Sequence, residues 1–525
     1  MYARAFSGTV HGIDGLIVTV EVDIANGLPQ FDVVGLGGSA VKESRDRVRS
    51  ALRNNECQFP IQRITVNLAP ADMRKEGSGF DLAIALGILA ASEQIKETPV
   101  KMLVLGELAL DGSVRPVTGV LPILLEARRH GFTHAIVPLH NKAEAELVDL
   151  NIRPVRTLKE AVRSWLHPNA NGNENERLEE EEQSEEIILP HAPVLDQNVQ
   201  KDAGDFGEVL GQAFVKRGLE VAAAGFHNVL LIGPPGSGKT MLANCMPSVM
   251  PGLSMEEAFE VTKIYSISGQ LSAHGGLIGK RPFRSPHHTI TAAALAGGGS
   301  HAPRPGECSL AHNGILFLDE MPEFSRAVLE VLRQPLEAGY VTIGRAKQIY
   351  TYPARFLLIA SMNPCPSGFY LSPDQRECTC TPLQVMKYRS KISGPLLDRI
   401  DLHLEVPRVP VELLGERRQE ELSATIRKRV EHARAVQTKR FSGRPAYPFN
   451  SGMNGKDLRK HAQLNEDGKE LLQAAFETLK LSARAYDRIL KVARTIADLD
   501  NAEQLQAHHV AEAIRYRTLD RGVLA

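Results

Sequence analysis

Cysteine is scarce in this chain, with six in 525 residues. Six thiols at wide spacing do not make a disulfide scaffold, so a reducing cytoplasm is the expected compartment. Long apolar runs are also missing. The longest, about Leu82 to Ala91, falls far short of the roughly 18–20 residues a membrane-spanning helix needs. The opening residues MYARAFSGTVHG contain no basic region followed by an apolar run, so no secretory signal is expected. Net charge is almost absent at −1. The charge is unevenly spread, however: Glu174 to Glu186 holds eight glutamates against one arginine, a net of −7 that leaves the rest of the chain at +6. What is present is an ordinary globular composition, 43% hydrophobic and 23% charged, which excludes wholesale disorder. At roughly 100–200 residues per domain the length predicts about three domains.

The acidic segment is the clearest boundary. PNANGNENERLEEEEQSEEIILP, Pro168 to Pro190, has almost no core formers and cannot bury enough apolar surface to offset ordering entropy, so residues 168–204 read as a flexible linker. Residues 1–167 mix strand-like runs (LIVTVEVDI, ITVNLAP, HAIVPL) with helices, one of which, FDLAIALGILAASEQ, is apolar nearly all round and so buried. Strands and helices alternate over 205–407, the pattern of a parallel-sheet α/β domain. Helical spacing dominates 408–525, which reads as a helical lid.

The decisive stretch is VLLIGPPGSGKTMLANCM, where an apolar strand runs into Gly233-Pro234-Pro235-Gly236-Ser237-Gly238-Lys239-Thr240 and then a helix. This is GxxxxGK[ST] in its strand–loop–helix context. Glycines let backbone N–H groups surround phosphate oxygens, and the helix N-terminus favours negative charge. Lys239 is expected on the β- and γ-phosphates of ATP and Thr240 on Mg²⁺. A second strand, Gly314 to Leu318, ends in Asp319-Glu320, 80 residues after Lys239. Asp319 is expected to hold the Mg²⁺ hydration shell and Glu320 to activate the attacking water. A third strand, RFLLIASMN, ends at Asn363, placed to hydrogen-bond that water and the γ-phosphate. Together these predict an ATPase.

GPPGSGKT, ILFLDE, SMNP and GPLLDRIDLHLEVP resemble the AAA+ ATPases of the magnesium-chelatase-like group. DFGEVLGQAFVKRGLEVAAAGFHNVLLIGPPG, RPFRSPHHTI…PRPGECSLAHNG and LSARAYDRILKVARTIADL extend the likeness over essentially the whole chain, to the YifB/ComM family. The resemblance implies a hexameric ATP-driven DNA helicase that promotes branch migration in recombination and natural transformation. It implies that Arg399, in LLDRID, enters the neighbouring subunit's site to neutralise γ-phosphate charge in the transition state. Arg484, in SARAY, is then the lid-helix arginine that senses the same nucleotide. It also implies two inserts, about Ile264 to Arg304 and the hairpin Gly339 to Phe356. The hairpin's Arg345 and Lys347 would contact DNA phosphates without reading sequence. Alternatives from other classes stay open: a magnesium-chelatase-type subunit remodelling a partner protein, or a Lon-related protein-remodelling ATPase.

Cys365, Cys378 and Cys380 lie in NPCPSGFYLSPDQRECTCTP. The family often has two CxC pairs here, spaced like a structural zinc site, but this chain has Ser367 where one thiol would be. Three thiolates fall one donor short of tetrahedral closure, so reduced, unliganded thiols are the leading expectation and zinc the alternative. Adjacent His287 and His288 point in different directions on any regular element, which argues against joint ligation. Residues 1–167 resemble the Lon-protease-like (ChlI-type) α+β fold through GELALDGSVRPVTGVLPILLEARRHGF and NLAPADMRKEGSGFDLAIALGIL. Pro122 stands where that protease has its lysine and approximately Phe80 where it has its serine, with Ser78 out of register. A serine without a base is a poor nucleophile, so no peptidase activity is expected and the domain reads as an assembly or DNA-contacting platform. Gly35-Leu36-Gly37-Gly38 lacks the spacing of a dinucleotide fingerprint and reads as a turn.

Overall fold

The computed structural model describes residues 1–35, 38–71, 75, 77–169, 204–271, 276–299, 303–345, 348–370, 378–409, 420–443, 448–479 and 481–517. The acidic linker therefore lies outside the described residues from 170 to 203, as do Leu36 and Gly37 of the glycine-rich turn.

The N-terminal unit is built on a mixed seven-stranded sheet. Its strands are β1 (Tyr2–His11), β2 (Asp14–Ala25), β3 (Gln30–Val34), β4 (Arg63–Ala69), β5 (Met102–Val104), β6 (His134–Pro138) and β7 (Asn151–Val155), in the order β3-β4-β2-β1-β5-β6-β7. Period-two alternation carries the pairing. Val18, Val20, Val22 and Ile24 of β2 are all buried, as are Ile64, Val66 and Leu68 of its antiparallel neighbour β4. Helices α1 (Ser39–Asn54), α2 (Asp81–Ala91) and α3 (Val120–Arg129) cover the sheet. As the all-round apolar pattern predicts, α2 is buried on nearly every face. Its one carboxylate, Asp81, is buried too, and Arg47 of α1 neutralises it through two bonds, Nε to Oδ2 at 2.6 Å and Nη2 to Oδ1 at 3.0 Å.

The central unit is a five-stranded, wholly parallel sheet. Strands β8 (Val229–Ile232), β9 (Phe283–Arg284), β10 (Ile315–Leu318), β13 (Leu357–Met362) and β14 (Leu402–Glu405) lie in the order β9-β10-β13-β8-β14. Both faces are covered, so β8 and β10 read as unbroken apolar runs and β13 as a run interrupted only by Ser361. An antiparallel hairpin, β11 (Tyr340–Arg345) with β12 (Gln348–Pro353), stands between β10 and β13 in the chain, as the sequence predicts for the second insert. In the first insert region, helix α6 (Met255–Ser268) runs on through Ile264, followed by a short helix, Ala292–Ala296.

The last part is helical: α7 (Ser423–Arg440), α8 (Glu466–Leu479), α9 (Ala483–Leu499) and α10 (Ala507–Arg515). It shares one apolar core with the sheet, because Ile489, Val492 and Ile496 of α9 join Leu402 and Leu404 of β14 in the same cluster. A buried polar group ties α7 to α9. Asp498 accepts from Arg440 at 2.6 and 2.7 Å and from Arg494 at 3.1 Å. No helix among the described residues is long and apolar enough to cross a membrane.

The N-terminal unit is seated on the central one. Ser266 of α6 donates its hydroxyl to Glu144, and the Gly119 N–H donates to Ser266 O at 3.2 Å. At the β1–β2 turn, the His11 ring lies 4.8 Å from that of Tyr350 on β12.

Candidate nucleotide site, arginine face and cysteine cluster

Strand β8 delivers the chain into the loop Gly233–Gly238, and helix α5 (Lys239–Val249) begins at once. Gly236 (φ +76°) and Gly238 (φ +86°) take left-handed conformations that residues with a Cβ rarely adopt. Lys239 Nζ donates to Gly233 O at 2.8 Å, Pro234 O at 3.0 Å and Asn363 Oδ1 at 3.2 Å, which brings the first and third motifs together. Burial pushes the Lys239 ammonium below its ordinary value, while the carboxylates of Asp319 and Glu320 pull it back. Thr240 Oγ1 donates to Asp319 Oδ2 at 2.9 Å, joining the first motif to the second. These hydroxyl and carboxylate oxygens are hard donors of the kind Mg²⁺ takes. The Ser237 hydroxyl is buried with no hydrogen-bond partner among the described residues, a free donor in the loop that would surround phosphate.

Glu320 has φ +51° and ψ +47°, a left-handed conformation for a residue with a long side chain. Its N–H is held by Asp319 Oδ1 at 3.1 Å and by Ser361 Oγ at 3.1 Å. Such a conformation costs about 1 kcal/mol and persists only where its surroundings impose it. Ser361 also donates its hydroxyl to Asp319, so it holds both carboxylate residues. Sequence reading passed over Ser361. Its only signal is a hydroxyl in an otherwise apolar strand, two residues before Asn363. Gln212 was passed over too. Its side chain donates to Ser237 O and to Pro407 O, both at 2.9 Å, and so braces the phosphate loop from outside the motif.

Arg399 and Arg484 are brought to one place, but not to this one. They line a cavity of about 540 Å³ with Glu337, Asp398, Arg488 and Lys491, among others. Glu320 and Asn363 line a different cavity of about 450 Å³, whose wall includes Tyr388, Lys387 and Lys391. Arg399 donates to the Glu337 carboxylate, and its Nε is buried without a partner among the described residues. Arg484 lies 3.5 Å from Asp398.

Arg345 ends β11 at the tip of the hairpin. Its side chain and the whole of Lys347 lie outside the described residues. His287 and His288 sit on an irregular stretch, where adjacent side chains are free to turn the same way, and their rings lie 4.0 Å apart. In the N-terminal unit Phe80 is buried at the start of α2 and Pro122 is buried in α3, while Ser78 donates to Glu107.

The three cysteines converge. The sulfurs of Cys365, Cys378 and Cys380 all lie within 4.8 Å of one another. Cys365 and Cys378 are 3.6 Å apart, and Ser367 Oγ lies 3.2 Å from the first and 3.4 Å from the second. Zn–S bonds of about 2.3 Å arranged tetrahedrally place sulfurs about 3.8 Å apart, with an oxygen ligand somewhat closer. The three sulfurs offer three of the four donors zinc takes, and the hydroxyl of the residue that breaks the two-CxC pattern lies beside two of them. Burial pushes the Cys365 thiol up, but the Ser367 hydroxyl and the Tyr370 and Phe369 N–H groups outweigh it and bring it down to about 7. A second cluster, Asp500, His508 and His509, does not fit a cation. The Gln506 N–H donates to His509 Nδ1 at 3.0 Å, which leaves the ring proton on Nε2, and the Arg217 guanidinium lies 3.1 Å from Asp500.

Comparison with known proteins agrees with this geometry. The magnesium chelatase subunit ChlI family matches residues 205–414, its C-terminal family 420–517, and the family "Subunit ChlI of Mg-chelatase" 20–141. Protein YifB of Salmonella typhimurium is 43% identical over 512 residues, covering 97% of this chain and 96% of YifB. Competence protein ComM of Haemophilus influenzae is 43% identical over 525 residues, covering 99% and 98%. The chain belongs to the YifB/ComM family. As a YifB/ComM protein it is a magnesium-chelatase-like AAA+ ATPase of α/β fold, with ATP and Mg²⁺ as its cofactors. Lon protease of Mycolicibacterium smegmatis matches a smaller part, 25% identical over 173 residues, or 30% of this chain and 22% of that protein.

Proposed function

We propose that this ATPase is a motor on DNA: a cytoplasmic homo-oligomeric ring, hexameric by analogy with its family, that drives branch migration of recombination intermediates during natural transformation. The observation that carries this reading is the position of the hairpin. It is spliced between β10, which leads into Asp319 and Glu320, and β13, which leads into Asn363. The hairpin, with Arg345 and Lys347 in its sequence, is thus joined through the chain to both strands that carry the candidate hydrolytic residues. A ring of such tips grips a phosphate backbone without reading sequence. The name of the Haemophilus influenzae relative, a competence protein, points the same way.

In this reading the loop Gly233–Gly238 holds the phosphates through the N–H groups of Gly236, Ser237 and Gly238, and Lys239 bridges β and γ. Thr240 and Asp319 hold Mg²⁺, Glu320 takes a proton from the attacking water, and Asn363 orients that water. Arg399 and Arg484 serve the neighbouring copy's site. The test is the ATPase rate with and without single-stranded and branched DNA, at about 50 and about 200 mM salt, a range over which phosphate contacts weaken strongly. Stimulation of several-fold at the lower salt, lost at the higher, is expected. No binding and no stimulation at either salt overturns the motor reading and leaves remodelling of a partner protein, as in a chelatase-type or Lon-related ATPase. Cleavage of casein that requires ATP and fails in Lys239→Ala would point to the Lon-related alternative.

Three thiolates and the Ser367 oxygen, on this proposal, hold a structural zinc. Gly368 (φ +85°) presses the same loop against the phosphate loop, since a Cβ there would meet Pro235 Cδ at 2.5 Å. Metal analysis of the purified protein is expected to give about one zinc per chain, falling severalfold in Cys378→Ser, with a raised KM for ATP as the loop loosens. Wild-type protein without zinc, prepared under reducing conditions and without chelator, would show reduced thiols instead.

A further inference from the structure

The N-terminal unit carries an unneutralised row of arginines that the ATPase chemistry does not use. Arg45, Arg49 and Arg53 stand at intervals of four on α1 and so share one face, in steps of about 6 Å from the 1.5 Å rise per residue. They line a cleft of about 80 Å³ with Phe31 and Phe59. Those two rings stack with centroids 6.4 Å apart, and the Arg49 guanidinium lies 5.9 Å over Phe59. Ile61, which lines the cleft, and nearby Leu28 are 79% and 87% exposed.

Neighbouring cations are neutralised and these are not. Arg47 is bound to Asp81, and Arg63 lies 3.6 Å from Asp32. Arg45 has only a 3.9 Å contact with its neighbour Asp46. Arg49 and Arg53 have no carboxylate within 4 Å among the described residues, and Arg49 Nε is buried with no hydrogen-bond partner there. Like charges at successive helical turns destabilise a helix, so the row works against the fold it sits on. The cleft also lies clear of the ATPase core. It is at the β3 edge of the sheet, whereas the core is met through the β1–β2 turn, Gly119 and Glu144.

We propose that this cleft is a second DNA-binding site, specific for single strands, which holds the phosphate backbone on Arg45, Arg49 and Arg53 and packs unstacked bases on Phe31, Phe59 and Ile61. A line of guanidiniums beside an aromatic and aliphatic floor matches a phosphodiester chain with its bases splayed out. A flexible single strand can follow steps of about 6 Å while turning its bases onto the floor, which the paired and stacked bases of a duplex cannot do. The proposal rests on the DNA reading above and adds to it that the motor holds its strand at a site apart from the hairpin.

The test uses the full chain and a fluorescein-labelled 30-nucleotide oligo-dT, with Kd measured from about 50 to about 200 mM salt. The triple variant Arg45→Gln, Arg49→Gln, Arg53→Gln keeps good helix formers on an exposed face. It is expected to bind about tenfold more weakly at the lowest salt, with a salt slope smaller by about 2, from about 0.7 ions for each of the lost contacts. The matching triple lysine variant is expected to keep both affinity and slope with the wild type's melting midpoint, while the glutamine variant, relieved of the like charges, melts no lower. Unchanged affinity and slope in the glutamine variant would overturn this site while leaving the hairpin reading standing. Failure of the wild type to bind the strand would remove the DNA reading itself. Tighter binding by the glutamine variant would also overturn the proposal, because the row would then be covered by an acidic segment such as the chain's own Glu174 to Glu186.

Discussion

Glu320→Gln is expected to lower ATP turnover by about 10²–10⁴-fold, the range for loss of a positioned general base, while ATP affinity stays within a few-fold of wild type. The carboxylate follows the end of β10 directly, and its backbone is held left-handed by bonds from its own N–H to Asp319 and Ser361. That bend aims the side chain into the cavity that Asn363 also lines. Glutamine keeps the shape and the hydrogen-bonding reach but cannot accept a proton from water. The phosphate loop, Lys239, Thr240 and Asp319 are untouched, so ground-state binding survives and the loss falls on kcat. Nucleotide binding and single-turnover hydrolysis, measured on the same preparation, separate the two terms. With DNA present the variant is expected to remain on it, since release requires turnover. A normal hydrolysis rate would remove Glu320 from the role of water activator. Ser361→Ala gives a smaller, related effect by freeing that backbone.

The ATPase core was open to sequence reading because its parts are local. A buried parallel strand shows as an apolar run, and the candidate site residues follow such runs at β8, β10 and β13 within a few positions. The hairpin was readable for the same reason, as two adjacent strands joined by a short turn. What sequence reading did not give is what depends on contact between distant segments. Gln212 reaches the phosphate loop from 25 residues ahead of Ser237. Ser361 acts on Asp319 from 42 residues beyond it. The cysteine group shows the limit most plainly. Counting thiols gives three, and the fold sets a serine hydroxyl beside two of the sulfurs, a contact that no spacing rule contains. His287 and His288 lie on no regular element, so the divergence of adjacent side chains that regular elements impose does not govern them, and their rings lie 4.0 Å apart.

Arg399→Ala is expected to reduce turnover by about 10³–10⁵-fold, the range measured for arginines that neutralise the transferring phosphoryl group, with little change in ATP affinity. Within one copy Arg399 lines the cavity that holds Arg484, not the one that holds Glu320 and Asn363. It is engaged there by Glu337, an exposed carboxylate that Arg399 itself holds below the ordinary range. An arginine that lines a different cavity from the water-activating residue is, on the reading proposed above, expected to serve the next subunit's nucleotide. The active form is then a head-to-tail assembly, which closes into a ring when its rotation permits. Mixing separates this from a role within one copy. Lys239→Ala and Arg399→Ala chains are each inactive alone. After dissociation and reassembly at equal amounts, random placement gives about a quarter of the interfaces an intact Lys239 facing an intact Arg399, so about that fraction of wild-type activity returns. Activity that stays at the level of the single variants, in mixed assemblies verified by size, would mean that Arg399 acts on its own subunit's nucleotide after a closure of the lid. Glu337→Gln sharpens the same test: releasing Arg399 from its holding carboxylate should raise wild-type turnover modestly and leave the Arg399→Ala rate unchanged.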